Sequence, residues 1–201
     1  TKELFGARDI FGIKPFYYYK KDGEFLFGSE IKSFLSHPKF EKELDEDMIP
    51  LYLSYEYIPD ERTIFKNVYK LPGAHCFTYK DGKLEVERYY HIRYNIEEDK
   101  SLEYWEDAIT KEFSESVAMH QISDVEVGCF LSSGVDSSYV VKEISKGTKK
   151  VKTFSVGYEE EKYSELPYAQ DFSSVIGVQN IANKVSADEF FDAVPEIQYF
   201  M

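Results

Sequence analysis

The segment that most restricts the fold is Val125-Glu126-Val127-Gly128-Cys129-Phe130-Leu131, which closes in an apolar run and passes directly into Ser132-Ser133-Gly134-Val135-Asp136-Ser137-Ser138. A nearly continuous apolar strand predicts a parallel strand buried on both faces. The small, polar residues after it predict a loop, and Tyr139, Val140, Val141 and Ile144 then fall on one side of a helix over roughly Ser137–Lys146. Gly147 suits the position just past that helix. A second strand is expected at Val151–Val156, followed by Gly157, and a helical segment over about Pro167–Ile176. Strand, loop, helix, strand, helix is the order of a parallel α/β sheet.

The first half reads differently. Phe16–Tyr19 and Glu24–Phe27 flank Asp22-Gly23, and Ala74–Tyr79 and Leu84–Tyr90 flank Asp81-Gly82. Asp-Gly between apolar runs predicts a two-residue hairpin, because both turn positions need positive φ. Ser29 is expected to cap a short helix over Glu30–Leu35, with Pro38 as its stop, and Asp47 to cap one running to Tyr55 with Pro50 in its first turn. Asn95–Lys100 is polar and aperiodic, and Trp105, Ala108, Ile109, Phe113 and Val117 then mark the apolar face of a helix that begins after Ser101. Two domains are therefore expected, 1–92 and 105–201, joined by a linker over 93–104.

A small-residue loop between a buried strand and a helix start is a physical anion site. Backbone N–H groups converge there, and the helix dipole favours negative charge. The hydroxyls of Ser132, Ser133, Ser137 and Ser138 add donors. Asp136 would repel a phosphate unless a cation lay between them, which points to Mg²⁺. The Gly-Lys-Ser/Thr element of a Walker A loop is absent, so the site is not of that kind. Simple helix capping needs one such residue; four serines, a glycine and an acid exceed it.

Charge and cysteine content narrow the partners. Asp and Glu exceed Lys and Arg by 37 to 24, the wrong sign for binding a phosphate backbone, so nucleic acid is not expected. Cys76 and Cys129 are isolated, with neither a zinc spacing nor a disulfide framework. No apolar run approaches a membrane span and no leader is visible, so the expected place is the cytoplasm, away from any membrane.

Ser132-Ser133-Gly134-Val135-Asp136-Ser137-Ser138 resembles the Ser-Gly-Gly-x-Asp-Ser loop of the PP-loop ATP pyrophosphatases, with Ser133 replacing the first glycine. The flanks are similar to the glutamine-hydrolysing asparagine synthetases: Arg8-Asp9-Ile10-Phe11-Gly12-Ile13-Lys14-Pro15, Phe27-Gly28-Ser29-Glu30-Ile31-Lys32, Leu71-Pro72-Gly73-Ala74-His75 with Arg88-Tyr89-Tyr90, and Lys152-Thr153-Phe154-Ser155-Val156-Gly157-Tyr158. The resemblance runs in family order along the whole chain. It implies an α+β region followed by an α/β one: the C-terminal part of an N-terminal-nucleophile-type glutaminase, built of antiparallel sheet layers, then the start of a parallel-sheet synthetase domain.

The resemblance further implies that glutamine supplies ammonia, ATP activates aspartate as β-aspartyl-AMP, and ammonia displaces AMP to give asparagine. Asp9 would then hold the α-ammonium of glutamine, unless it merely caps the turn before Gly12. Ser132, Ser133, Gly134, Asp136, Ser137 and Ser138 would cradle the pyrophosphate end of ATP, with Asp136 at the metal. Leu131 and Val156 would flank the adenine. His75 and His120 are expected to be structural. A homodimer is compatible with the resemblance. The family's nucleophilic cysteine and its second synthetase loop, Ser-Gly-Glu-Gly-Ser-Asp-Glu, are absent from these residues, so no catalytic residue is expected here; Thr1 as an N-terminal nucleophile is the weaker reading. The expectation is a fragment that makes no asparagine alone and binds nucleotide weakly. Two alternatives stay open: the same adenylation applied to another carboxylate, and a degenerate ATP-binding module.

Overall fold

The computed structural model describes residues 2–147 and 151–200, so Thr1, weighed above as a nucleophile, and Met201 lie outside it. The chain forms two compact units that divide between Ile96 and Glu97.

The first unit is built from antiparallel strands: β1 (Glu3–Ala7), β2 (Tyr17–Lys21), β3 (Glu24–Gly28), β4 (Val68–Lys70), β5 (His75–Lys80) and β6 (Lys83–Arg88). They make two three-stranded sheets, ordered β1-β5-β6 and β3-β2-β4. Both Asp-Gly turns form as the sequence predicts, with φ of +48° and +83° at Asp22-Gly23 and +50° and +79° at Asp81-Gly82. The sheets face one another through aromatic side chains. Tyr18, Leu71 and Phe77 are the buried members of this layer, and Phe25 stacks on Tyr79 with ring centroids 4.5 Å apart. The other side of β3-β2-β4 packs Tyr19, Val68 and Phe34, so this sheet is covered on both faces.

Two caps differ from expectation. Residues Ile31–Ser36 wind as a 3₁₀ helix whose flanking residue is Glu30, without a side-chain cap from Ser29. A single 3₁₀ turn at Glu46–Met48 precedes helix α1 (Ile49–Tyr55), so Asp47 lies inside the turn rather than capping the helix. In both places the entry is a tight i→i+3 turn, closed by the Ser33 N–H on the Glu30 carbonyl (3.1 Å) and the Met48 N–H on the Asp45 carbonyl (2.9 Å).

The second unit comprises α2 (Leu102–His120), β7 (Gly128–Phe130), α3 (Val135–Gly147), β8 (Lys152–Tyr158), α4 (Leu166–Ile176), β9 (Gln179–Val185) and α5 (Ala187–Phe200). Its strands are parallel, in the order β7-β8-β9. Helix α2 begins directly after Ser101 as expected, and the Ser101 hydroxyl accepts the Tyr104 N–H as its cap. Gly177 closes α4 in the left-handed conformation (φ +73°). Gly147, expected just past this helix, lies within α3.

The apolar run 125–131 does not form a strand buried on both faces. Only Gly128–Phe130 is regular, and β7 is an outer strand of the sheet. Leu131 (3% exposed) packs with Val141, Ile144, Ala169 and Val178 in a cluster fed by α2, α3 and α4. Phe130, which points the other way, is 84% exposed. Side chains alternate along a strand, so the cross-strand row Phe130, Phe154 and Ile181 shares that second face, and all three are exposed. The helical cover therefore falls on one face of the sheet. No helix among the described residues is long and apolar enough to cross a membrane.

Candidate functional site

The loop after β7 is ordered by its own serines. Ser132 and Ser137 hydroxyls lie 2.9 Å apart, and the Ser132 N–H donates to Ser137 Oγ at 3.2 Å. Ser132 Oγ in turn accepts the Gly134 N–H at 3.1 Å. The first helical bond of α3 runs from the Ser138 N–H to the Gly134 carbonyl, 3.2 Å. The N–H groups of Val135, Asp136 and Ser137 thus precede any intrahelical acceptor and are the orphan donors of a helix start. Asp136 stands in that first turn, exposed, with no hydrogen-bond or ion-pair partner among the described residues.

The Ser133 N–H donates to Glu165 Oε2 at 3.1 Å. That N–H, then the Ser133 hydroxyl, holds the Glu165 carboxyl below its ordinary range. Glu165 flanks the first residue of α4 and is 32 positions away in sequence. Nothing local announces this contact; the signal available in the sequence is an acid placed directly before Leu166-Pro167, where a helix begins.

Leu131 is tied down on every side. Its N–H donates to the Phe154 carbonyl at 2.8 Å, its carbonyl accepts the Ser155 hydroxyl at 2.7 Å, and its side chain is in the core. Behind it, Asn180 donates to both Thr153 Oγ1 and Ser155 Oγ at 2.9 Å, while Asn180 Oδ1 is buried without a partner. A polar chain across the sheet therefore fixes the carbonyl that leads into the loop. Val156 is 59% exposed, on the face of β8 opposite Ser155.

In the first unit, Asp9 sits in a turn held from several directions. Its Oδ1 accepts the Ile13 N–H at 2.9 Å and its Oδ2 the Lys14 N–H at 3.0 Å. Those donors, Lys14 first, hold the carboxyl below its ordinary range. The Asp9 carbonyl accepts the N–H groups of Gly12 and Ala74. Arg8 spends its guanidinium on three backbone carbonyls, those of Lys14, Leu71 and Gly12, and so serves as a brace. His75 Nδ1 bonds the Gly73 carbonyl and His120 Nδ1 the Ser116 carbonyl, both at 2.8 Å. No group of three or more His, Cys, Asp or Glu side chains that could hold a metal ion occurs among the described residues.

Comparison with known proteins gives two family matches: a glutamine amidotransferase domain over residues 1–90 and asparagine synthase over residues 108–201. Asparagine synthetase [glutamine-hydrolyzing] 1 of Bacillus subtilis is 36% identical over 198 residues, covering 96% of this chain and 30% of the relative. A putative asparagine synthetase [glutamine-hydrolyzing] of Mycobacterium tuberculosis is 35% identical, covering 100% of this chain and 32% of the relative. A third, putative asparagine synthetase [glutamine-hydrolyzing] 2 of Methanocaldococcus jannaschii, is 37% identical, covering 82% of this chain and 33% of the relative. The chain thus spans about a third of the length of the curated relatives it matches.

Proposed function

The chain belongs to the glutamine-hydrolysing asparagine synthetases, and from that premise we propose that it contributes to ATP-dependent synthesis of asparagine from aspartate, with glutamine as the ammonia source, in the cytoplasm. Residues 1–92 form the later part of a glutaminase of the N-terminal-nucleophile type, 93–104 the linker, and 105–201 the opening of the synthetase domain.

The observation that carries this reading is the strand–loop–helix Leu131–Ser138, in which serine hydroxyls and helix-start N–H groups converge on one exposed loop. Ser132, Ser133, Gly134, Ser137 and Ser138 cradle the β- and γ-phosphates of ATP, the part that leaves as pyrophosphate. Asp136, an unpaired carboxylate in that turn, suits Mg²⁺, which is held by one or two carboxylates together with substrate phosphates and would neutralise phosphate charge there. Val156 offers the adenine an exposed apolar contact, and Leu131, immobilised from both sides, fixes the strand tip beneath it.

A β-carboxylate oxygen of aspartate attacks the α-phosphorus of ATP, and the bond to the β-phosphate oxygen breaks to release pyrophosphate. Ammonia then attacks the acyl carbon and AMP leaves, which replaces a poor leaving group by a good one. In the first unit, Asp9 receives the α-ammonium of glutamine. Its carboxylate is oriented by two N–H donors, which also keep it ionised, and each oxygen retains a lone pair for a charge-assisted bond.

The test is AMP and pyrophosphate release by the full polypeptide that carries this sequence, supplied with ATP, Mg²⁺, aspartate and either glutamine or ammonia. AMP formation should require aspartate and disappear in Asp136→Ala. AMP formation without aspartate, or with another carboxylate in its place, would assign the loop to a different acceptor.

A further inference from the structure

The loop amides are already in use. Ser132, Ser133 and Gly134 donate in turn to Ser137 Oγ, Glu165 Oε2 and Ser132 Oγ. Two of these acceptors are neutral hydroxyls of the loop itself, which can rotate away as a ligand arrives. The third is an anion brought from another element. We propose that Glu165 is a built-in placeholder: its carboxylate occupies the Ser133 N–H until a phosphate oxygen displaces it, and so lowers the affinity of the loop for pyrophosphate. This rests on the nucleotide reading of the loop given above.

Three observations support the assignment. Glu165 is aimed by fixed neighbours, because Leu166 beside it is buried (4% exposed) and lies against Gly157, where an added Cβ would meet Leu166 Cγ at 2.4 Å. The carboxylate therefore reaches the loop from a packed anchor. The contact also joins the anion class that the loop is built to take to one of its backbone donors, and a single N–H cannot serve a carboxylate and a phosphate oxygen in full. Finally, Asp136, the loop's own acid, is exposed and pairs with nothing described, so the negative charge seated on the loop amides comes from Glu165 and not from the motif.

Displacement has an electrostatic consequence. A pyrophosphate entering the loop must move an anion off its donor and then sit within a few ångströms of it. Neutralising that side chain removes the repulsion while keeping an oxygen that can accept the same N–H. The experiment is calorimetric titration of inorganic pyrophosphate, with Mg²⁺ in excess, into the full polypeptide and its Glu165→Gln and Asp171→Asn variants, each checked by thermal melting. Asp171 is an exposed acid further along α4 and controls for general charge.

Glu165→Gln should bind about tenfold tighter than the parent, and Asp171→Asn should match the parent. Equal or weaker binding by Glu165→Gln, with measurable binding by the parent, would overturn the placeholder while leaving the nucleotide site standing. An equal gain in Asp171→Asn would overturn it too. Absence of pyrophosphate binding in parent and variant alike would remove the nucleotide reading and the placeholder together. Should Glu165→Gln fail to fold, Glu165→Ala, which removes both the charge and the acceptor, must show at least the same tightening.

Discussion

Replacing Gly73 by alanine tests how rigidly the Asp9 turn is held. A Cβ at this position would stand 2.8 Å from the Gly12 nitrogen, 3.0 Å from the Ile10 carbonyl oxygen and 3.1 Å from the Phe11 carbonyl carbon. All three are backbone atoms, so no side chain can swing aside. Relief requires the Leu71–Ala74 segment and the Asp9–Gly12 turn to part by about half an ångström, against an ordinary contact near 3.4 Å. That movement strains the Ala74 N–H bond to the Asp9 carbonyl and the Arg8 N–H bond to the His75 carbonyl, both 2.9 Å, and pulls on Arg8 Nη1 at the Leu71 carbonyl. Overpacking costs about 1–3 kcal/mol, and each weakened hydrogen bond adds up to about 1 kcal/mol. The expected loss is about 2–4 kcal/mol, confined to the first unit. Urea titration followed by hydrogen exchange at the Gly12 and Ala74 amides reads this loss, and fluorescence of Trp105, the sole tryptophan, reports the second unit separately. Gly82→Ala is the control: its φ of +79° strains any side chain, but nothing lies within 4 Å, so it should cost about 1 kcal/mol. A Gly73→Ala loss no larger than that of Gly82→Ala would refute the close-approach reasoning.

Further outcomes follow from other contacts. Asn180→Leu withdraws both donors from Thr153 and Ser155 and should destabilise the second unit by about 1–3 kcal/mol in urea, read by Trp105 fluorescence. Ser101→Ala removes the acceptor for the Tyr104 N–H and should cost about 1 kcal/mol in a thermal melt. Asp9 has a folded-state pKa below its unfolded one, so its contribution is present above the ordinary carboxylate range and is lost as pH falls through the depressed folded value. The stability difference between the parent and Asp9→Asn should therefore shrink on acidification across that window and stay constant from there to neutrality.

What the sequence made legible was what short range decides. Asp22-Gly23 and Asp81-Gly82 turn because two adjacent residues must take positive φ, and Ser101 caps because its acceptor and the Tyr104 donor are three residues apart. By the same logic α5 was within reach: Ser186 and Glu189 form a reciprocal capping box, with the Ser186 N–H on Glu189 Oε2 at 2.8 Å and the Glu189 N–H on Ser186 Oγ at 3.2 Å. Its spacing stands in the sequence unread. Ser29 and Asp47 failed as caps because both segments wind as 3₁₀ turns, whose hydrogen bonds close one residue sooner.

The strand before the loop marks where local reading stops. Its apolar run specifies a strand but not how many faces are covered, because cover depends on helices tens of residues away; here they gather on the Leu131 side and leave Phe130, Phe154 and Ile181 exposed. The loop divides in the same way. Its serines order one another within five positions, close enough for their grouping to stand out in the sequence. The two groups that complete it, Ser155 on the Leu131 carbonyl and Glu165 on the Ser133 amide, arrive from 24 and 32 residues further on. Ser155 stands in a segment that carries the family resemblance, but nothing there ties it to the Leu131 carbonyl, and one glutamate before a helix is ordinary composition. Sequence therefore names the donors of this loop, while the fold decides which acceptors hold them: Ser137 Oγ for the Ser132 N–H, Glu165 Oε2 for Ser133 and Ser132 Oγ for Gly134.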